Sequence, residues 1–348
     1  MNPRLAINGY GRIGRCFLRA LLASPLRECL SVVAINEPAN IDSMAYLTRF
    51  DSTHGSFPGV VRARNGCLEI DGRDIAVSHA TTPDGVDWQS HGVDLLIEAS
   101  GRYSRREDLE KFLHTGCPRL LLSQPGASAD DVDRTLVFGF NHETLGDADR
   151  IVSAGSCTTN ALVPILSILD ENFGVEHAIA TTMHSVMNDQ PLIDGYHPND
   201  LRMTRSAMQS MIPVETGLAR GVARFLPALE SRITAKAIRV PTCNVSAIDL
   251  VVNLARATSA SEVARLLRAV GEAGCDQIVE YSDGPHASID FNHDPCSVIV
   301  DGSQIRTSGD RLLNLLLWFD NEWAFASRML DLAAFWCARQ HASTEASR

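Results

Sequence analysis

The feature that most restricts this chain lies near its start, where Arg4-Leu5-Ala6-Ile7-Asn8 runs straight into Gly9-Tyr10-Gly11-Arg12-Ile13-Gly14. A short apolar strand meets a glycine turn and then a helical stretch holding Cys16, Phe17, Leu18, Ala20, Leu21 and Leu22. A second apolar strand, Leu30 to Ile35, follows and ends at Asn36-Glu37. Strand, turn, helix and strand in that order call for a right-handed crossover between parallel neighbours, and so for an α/β sheet. In such a unit Gly9 makes the tight turn, Gly11 lets the backbone approach a pyrophosphate, and Gly14 lets the helix pack closely on the strand. The phosphates would lie at the helix N-terminus, where free N–H groups and the helix dipole favour an anion. Glu37 follows Gly14 by about 20 residues, the spacing at which an acid accepts hydrogen bonds from ribose hydroxyls. Its charge would repel a 2′-phosphate, so the expected cofactor is NAD rather than NADP. The alternative is a structural glycine turn with a solvent-facing carboxylate.

The alternation continues through the first half. Ile75–Ser78, Val93–Ala99, Arg119–Ser123 and Thr135–Gly139 read as strands, and Arg106 to His114 as a helix. Several strands end in small or polar residues such as Ser100-Gly101 and Ser123-Gln124, where a doubly wound sheet holds its ligands. After residue 157 the texture changes to longer β-type runs: His177–Met183, Ile233–Val240, Ser246–Leu254, Ser288–Phe291 and Ser297–Val300. Arg311 to Asp320 is apolar and fits either a helix or a strand. The expected architecture is a Rossmann doubly wound parallel sheet over residues 1–156, completed by a C-terminal helix at about 322–338. An α+β catalytic domain with a largely antiparallel sheet is expected over residues 157–321. The polar tail from His341 to Arg348 is expected to fray.

Cys157 is the strongest candidate for chemistry. It stands in Ser153-Ala154-Gly155-Ser156-Cys157-Thr158-Thr159-Asn160, just ahead of a helix with Ala161, Leu162, Ile165, Leu166, Ile168 and Leu169 on its apolar face. Ser156 reads as the cap. The positive end of a helix stabilises a thiolate, so the Cys157 pKa is expected to fall below about 8.5. The competing reading is a buried, inert thiol, the commonest state of a free cysteine.

Composition excludes several classes. The 348 residues, 45% of them hydrophobic, suffice for two cores. The apolar runs are strand-length and the chain enters a strand at once, so neither a membrane span nor a leader peptide is expected. Nine cysteines without a CxxC pair suit a reducing cytoplasm, and eleven histidines without ligand spacing give no reason to expect a metal. With 31 basic and 42 acidic residues the net charge is −11, which offers no general attraction for nucleic acid or an anionic membrane. An anionic substrate would have to be held by local arginines.

Five segments together carry a resemblance over nearly the whole chain: Asn8–Arg15, Ser156–Asn160, His184 with Asp189-Gln190, Arg239–Thr242 and Trp318–Trp323. They resemble the signatures of the glyceraldehyde-3-phosphate dehydrogenase superfamily. Finer runs, His184–Asp189, Asp200–Arg205 with Gln209–Pro213, and Asp290–Pro295 through Gly302, are similar to the D-erythrose-4-phosphate dehydrogenases, which serve pyridoxal phosphate synthesis. The resemblance implies that Cys157 attacks an aldehyde and that His184 holds the thiolate and takes a proton. It further implies that Arg12 and Ile13 belong to the pyrophosphate turn with Gly9, Gly11 and Gly14. Glu37 would bind the ribose, Ser123 the nicotinamide side and Asn321 the carboxamide. Ser156, Thr158, Arg202, Thr216, Gly217 and Arg239 match anion-binding positions for a small aldose phosphate. A homotetramer is implied, with the segment from about Met187 to Thr216 crossing to a neighbouring subunit.

Departures from the family pattern shape the functional expectation. Met187 replaces a phosphate-binding threonine of phosphorylating relatives, and Met203 replaces a frequent second arginine. Ala154-Gly155 stands where Asn-Ala is common, which predicts a more flexible loop, and Thr81 stands where an arginine near the adenine is frequent. Thr216-Gly217, by contrast, is similar to the glycolytic enzymes. The favoured reading is NAD-dependent oxidation of erythrose 4-phosphate with water cleaving the thioester. A phosphorylating glyceraldehyde-3-phosphate dehydrogenase and a catalytically silent NAD-binding regulatory protein are the alternatives.

Overall fold

The computed structural model describes residues 2–274 and 278–346. The chain packs as two units, Met1–Ser156 with Phe325–Arg348, and Cys157–Ala324.

In chain order the first unit holds β1 (Arg4–Asn8), α1 (Arg12–Ala23), β2 (Ser31–Asn36), α2 (Ile41–Arg49), the ribbon strands β3 (Phe50–Asp51) and β4 (Gly55–Ser56), β5 (Val61–Arg64), β6 (Cys67–Ile70) and β7 (Arg73–Ser78). It continues with β8 (Leu95–Glu98), α3 (Arg106–His114), β9 (Leu120–Leu122), β10 (Arg134–Thr135) and β11 (Ile151–Ser153). Among the described residues these strands form a nine-stranded sheet in the order β10-β11-β9-β8-β1-β2-β7-β6-β5. Pairing is parallel from β10 to β7 and antiparallel across β7, β6 and β5. The order reverses at β1, which has β2 on one side and β8 on the other. A crevice opens at the carboxyl ends of strands at such a reversal.

Hydrophobic burial holds this unit together. Leu5, Ala6 and Ile7 of β1 are fully buried, and α1 turns Phe17, Leu18 and Leu21 inward. On α3, Leu109 and Phe112 join Trp88, Leu96, Leu120 and Leu122 in one cluster. The Phe112 ring meets Tyr103 edge-on, with centroids 5.4 Å apart.

The second unit opens with α4 (Cys157–Phe173) and β12 (Val175–His184), then β13 (Ile212–Val214), α5 (Leu218–Ala223), β14 (Ile233–Arg239) and β15 (Ser246–Leu254). It continues through α6 (Ala260–Glu272), β16 (Val279–Ser282), β17 (Val298–Asp301), β18 (Arg306–Ser308) and β19 (Leu312–Phe319). Its sheet runs β13-β14-β12-β15-β19-β17-β16, with β18 also on β19. The β12–β14 and β16–β17 pairs are parallel and the other joins antiparallel. The segment left open in sequence is thus a strand. Leu313, Leu315, Leu317 and Phe319 alternate inward along β19, a period of two that no helix shows.

Three sequence expectations need correction. Of Thr135–Gly139 only Thr135 is in a strand. The Asn141 side chain accepts the Val137 N–H at 2.7 Å and donates to the Thr135 carbonyl at 3.1 Å, which closes a loop. Ser288–Phe291 is a 3₁₀ turn, because the Asp290 carboxylate accepts the Ala287 N–H at 2.8 Å. The C-terminal helix, α7 (Trp323–Ala346), continues through most of the tail expected to fray. No Gly or Pro interrupts it, and Ala342, Glu345 and Ala346 favour a helix; residues 347–348 lie outside the described residues. Among the described residues no helix is long and apolar enough to cross a membrane.

Phe112→Ala should destabilise the first unit by about 3–5 kcal/mol, since the cavity cannot close against β8 and β9. Urea unfolding followed by tyrosine and tryptophan fluorescence measures this.

Candidate active site

The glycine turn of the first unit is shaped by close approach. Gly9 adopts φ +88°, and a Cβ there would lie 2.4 Å from the Ser100 backbone. At Gly14 a Cβ would stand 2.3 Å from the Gly9 carbonyl oxygen, whereas at Gly11, the residue capping α1, it would meet nothing within 4 Å. Gly11 therefore faces open space that a ligand can enter. The surrounding cleft is lined by Asn8, Gly9, Gly11, Glu37, Thr81 and Ser100 among others.

Glu37 accepts the Tyr10 N–H at 2.8 Å and the Ala39 N–H at 3.2 Å, which fixes its carboxylate at the cleft. The Arg12 guanidinium pairs with Asp51, one of its bonds being 3.1 Å. Ile13 lies in the first turn of α1, and its part in a pyrophosphate turn, like that of Arg12, rests on backbone position. Ser123 follows β9, its N–H donating to the Glu98 carbonyl at 2.9 Å.

Beneath the cleft runs a polar network that the sequence reading missed. Glu98 is fully buried and accepts from the Asn8 amide and from both the N–H and hydroxyl of Ser100. Asn36 in turn donates to Asn8 Oδ1 at 2.7 Å. Burial pushes the Glu98 carboxyl up to about 7, against these hydrogen bonds. An apolar strand ending in a lone acid was the available signal.

In the second unit Cys157 is the first residue of α4. Its Sγ lies 3.7 Å from His184 Nε2 and 3.8 Å from Thr158 Oγ1. The parallel register pairs His184 with Arg239, and Arg239 Nη1 lies 2.7 Å from His184 Nδ1. The same Nδ1 is 2.8 Å from the Ser185 carbonyl oxygen, and Asp189 stands 4.0 Å from the Arg239 guanidinium.

The expected depression of the thiol pKa is not what this arrangement gives. Burial pushes Cys157 up, outweighing Thr158, the Arg239 charge and the helix amides. Burial and then the Arg239 charge push His184 down to about 4. Burial thus opposes charge on the thiol and on the imidazole, each taken singly.

Asn321 is 8% exposed, and its Oδ1 accepts from Ser185 Oγ at 2.9 Å and from Ser246 Oγ at 2.8 Å. The two hydroxyls fix the amide so that its N–H donors point the other way. Neither serine was singled out in sequence, because only the strand register brings residues 185, 246 and 321 together.

Other predicted site residues lie in different settings. Arg202 is exposed in a 3₁₀ turn, and Thr216 Oγ1 accepts the Leu218 N–H at 3.2 Å beside Gly217, the residue before α5. Ser156 closes the first unit and is partly exposed. The residues before it are held rather than loose. Gly155 takes φ +71° and donates to Ser153 Oγ at 3.0 Å, while the N–H of buried Ala154 donates to the Leu122 carbonyl at 2.9 Å.

A glycine cradle that tolerates no Cβ at two positions and is open at the third fits a dinucleotide. Together with the doubly wound sheet it defines a dinucleotide-binding unit. Residues 3–106 match the family profile described as glyceraldehyde 3-phosphate dehydrogenase, NAD binding domain, and residues 156–321 match that of the C-terminal domain. The chain belongs to the glyceraldehyde-3-phosphate dehydrogenase superfamily, whose substrates are phosphorylated aldehydes and whose cofactor is NAD.

Gly9→Ala should weaken NAD binding by about tenfold or more, roughly 1.4 kcal/mol, as read by calorimetry. Glu98 gives a pH signature. Its folded pKa is raised, so its contribution to stability is greatest below the unfolded value and is lost as pH rises through about 7. Unfolding free energy measured from pH 4.5 to 8 should fall by on the order of 3 kcal/mol from this group. The profile of Glu98→Gln should be flatter.

Proposed function

We propose that the chain is a non-phosphorylating dehydrogenase that oxidises D-erythrose 4-phosphate to 4-phospho-D-erythronate. NAD, when bound, accepts the two electrons and the hydrogen that the substrate carbon gives up. Cys157 Sγ adds to the aldehyde carbon, and the resulting thiohemiacetal is held by the Cys157 N–H and the imidazole. His184 takes the hydroxyl proton as the carbon is oxidised, leaving a thioester on Cys157. Water then cleaves the thioester, releasing the acid and restoring the thiol. Glu37 would hold the ribose and Asn321 the carboxamide, with Arg202, Arg239, Thr158 and Thr216 receiving the substrate phosphate.

The observation that carries the choice of acceptor is the pair Met187 and Met203. Neither thioether donates a hydrogen bond to an anion, and Met203 is only 6% exposed. Inorganic phosphate thereby loses two ligands as the second nucleophile. Thr216-Gly217 favours the second reading, a phosphorylating enzyme acting on glyceraldehyde 3-phosphate. The 3.7 Å separation of Cys157 and His184 supports an active enzyme over a silent NAD binder. A homo-oligomer is part of the proposal, supported by the exposed Leu192, Ile193, Tyr196 and Met211 in the segment that resembles a subunit-crossing loop.

NADH formation with each aldehyde, with and without inorganic phosphate, tests the reading. Erythrose 4-phosphate should be preferred by about tenfold, the order that one extra carbon contributes, with less than about twofold effect of phosphate. Strict phosphate dependence with the three-carbon substrate would establish the alternative. Met187→Thr with Met203→Arg should increase phosphate dependence.

A further inference from the structure

The buried carboxyl of Glu98 is a titratable group that the proposed reaction leaves unused, and its surroundings dictate where a proton on it must sit. The direction of each bond is set from the far end of its network. Beyond β7 the Ala80 N–H, which can only donate, meets Asn36 Oδ1 at 2.9 Å, and the Ala80 carbonyl, which can only accept, meets Asn36 Nδ2 at 3.1 Å. That pins the Asn36 amide. Its Nδ2 also donates to Asn8 Oδ1 at 2.7 Å, so Asn8 must turn its own Nδ2 to Glu98 Oε2. Glu98 Oε1 meets the Ser100 N–H at 2.9 Å and the Ser100 hydroxyl. Among the described residues, the amide of Asn8 and the N–H of Ser100 can only donate to this carboxyl. Ser100 Oγ alone brings lone pairs, so a proton on Glu98 belongs on Oε1, pointing at Ser100 Oγ.

That proton reverses the role of Ser100. Its Oγ already accepts the Arg102 N–H at 3.2 Å. With Glu98 ionised, the Ser100 O–H is spent on the carboxylate. With Glu98 neutral, Oγ accepts from both Glu98 and Arg102, its lone pairs are filled, and its own O–H is released. Ser100 lines the cleft together with Gly9 and Gly11. Its backbone lies so close to the glycine turn that a Cβ on Gly9 would come within 2.4 Å of it. The released O–H therefore has the cleft, and an oxygen of a dinucleotide in it, as its acceptor.

We propose that Glu98 and Ser100 couple dinucleotide binding to proton uptake: the Ser100 hydroxyl donates to the bound dinucleotide while Glu98 Oε1 carries a proton drawn from solvent. The proton returns to solvent when the dinucleotide leaves. Ser100 is the contact and Glu98 the positioning residue behind it. The negative charge of a pyrophosphate acts in the same direction, since it disfavours a carboxylate beneath it. The charged and titratable groups facing Glu98 are Arg102 and Tyr103 in the loop after β8. Its neighbours in register, Asn8 on β1 and Leu122 on β9, bring no charge, and Glu37 lines the same cleft. Arg102 opposes protonation, but it is exposed and screened by solvent. Burial already pushes the Glu98 carboxyl up to about 7 in the free protein, within reach of a further rise on binding.

The test is calorimetric titration of the full-length protein with ADP-ribose and with NAD, in buffers of different ionisation enthalpy, which counts the protons taken up. ADP-ribose lacks the nicotinamide and so separates this end of the cofactor from any titration that the nicotinamide causes elsewhere. A rise of about one unit from about 7 gives uptake of about half a proton per site at pH 7.5, and almost none below about pH 5.5, where Glu98 is already protonated. Because the bound pKa is the higher one, affinity is full below about 7 and should fall about tenfold as pH rises through 7 and 8. Glu98→Gln should bind ADP-ribose without proton uptake and with a flat pH profile. Ser100→Ala should lose the uptake and Ser100→Thr, which keeps the hydroxyl, should retain it. A carboxylate with a structural role alone would change affinity equally at every pH and leave no proton count to lose.

The absence of proton uptake by the wild-type protein with ADP-ribose at pH 7.5 would overturn the proposal, and that measurement needs no variant. Undiminished uptake in Glu98→Gln or in Ser100→Ala would overturn it equally. None of these readouts depends on which aldehyde the protein oxidises.

Discussion

The parallel pairing of β12 with β14 is the constraint on which the catalytic unit depends. It sets His184 opposite Arg239 at the carboxyl ends of both strands, while the N-terminus of α4 brings Cys157 to the same imidazole. A one-residue slip would turn His184 to the other face of the sheet, because side chains alternate along a strand. The site is therefore a property of register, and register is fixed by the buried alternation of β12, β15 and β19.

Burial sets the electrostatics of the resting pocket. A thiol and an imidazole removed from water are both driven toward their neutral forms, and the helix N-terminus does not outweigh that cost for Cys157. In the first unit the same force raises Glu98, held under the cleft by Asn8 and Ser100. Both units keep a desolvated titratable group at the carboxyl ends of their strands.

Much of this was legible in sequence where the signal was local. The Gly9–Gly14 turn, the helix Arg106–His114, the strand Ser246–Leu254 and the placement of Cys157 at a helix start all follow from short-range patterns. Errors arose where side chains overrode the apolar pattern, as Asn141 does to Thr135–Gly139 and Asp290 to Ser288–Phe291. The orienting shell was not legible, because Ser185, Ser246 and Asn321 meet only through strand pairing across 136 residues.

The serine pair around Asn321 sets a polarity filter. Because both hydroxyls donate to its amide oxygen, Asn321 has its acceptor engaged and presents donors, so it reads a partner by lone pairs. A carboxamide or carboxylate oxygen satisfies it, and an ammonium or guanidinium of the same size does not. In the proposed contact of Asn321 with a carboxamide, selection would be by the direction of the hydrogen bond, set by Ser185 and Ser246 without either touching the ligand.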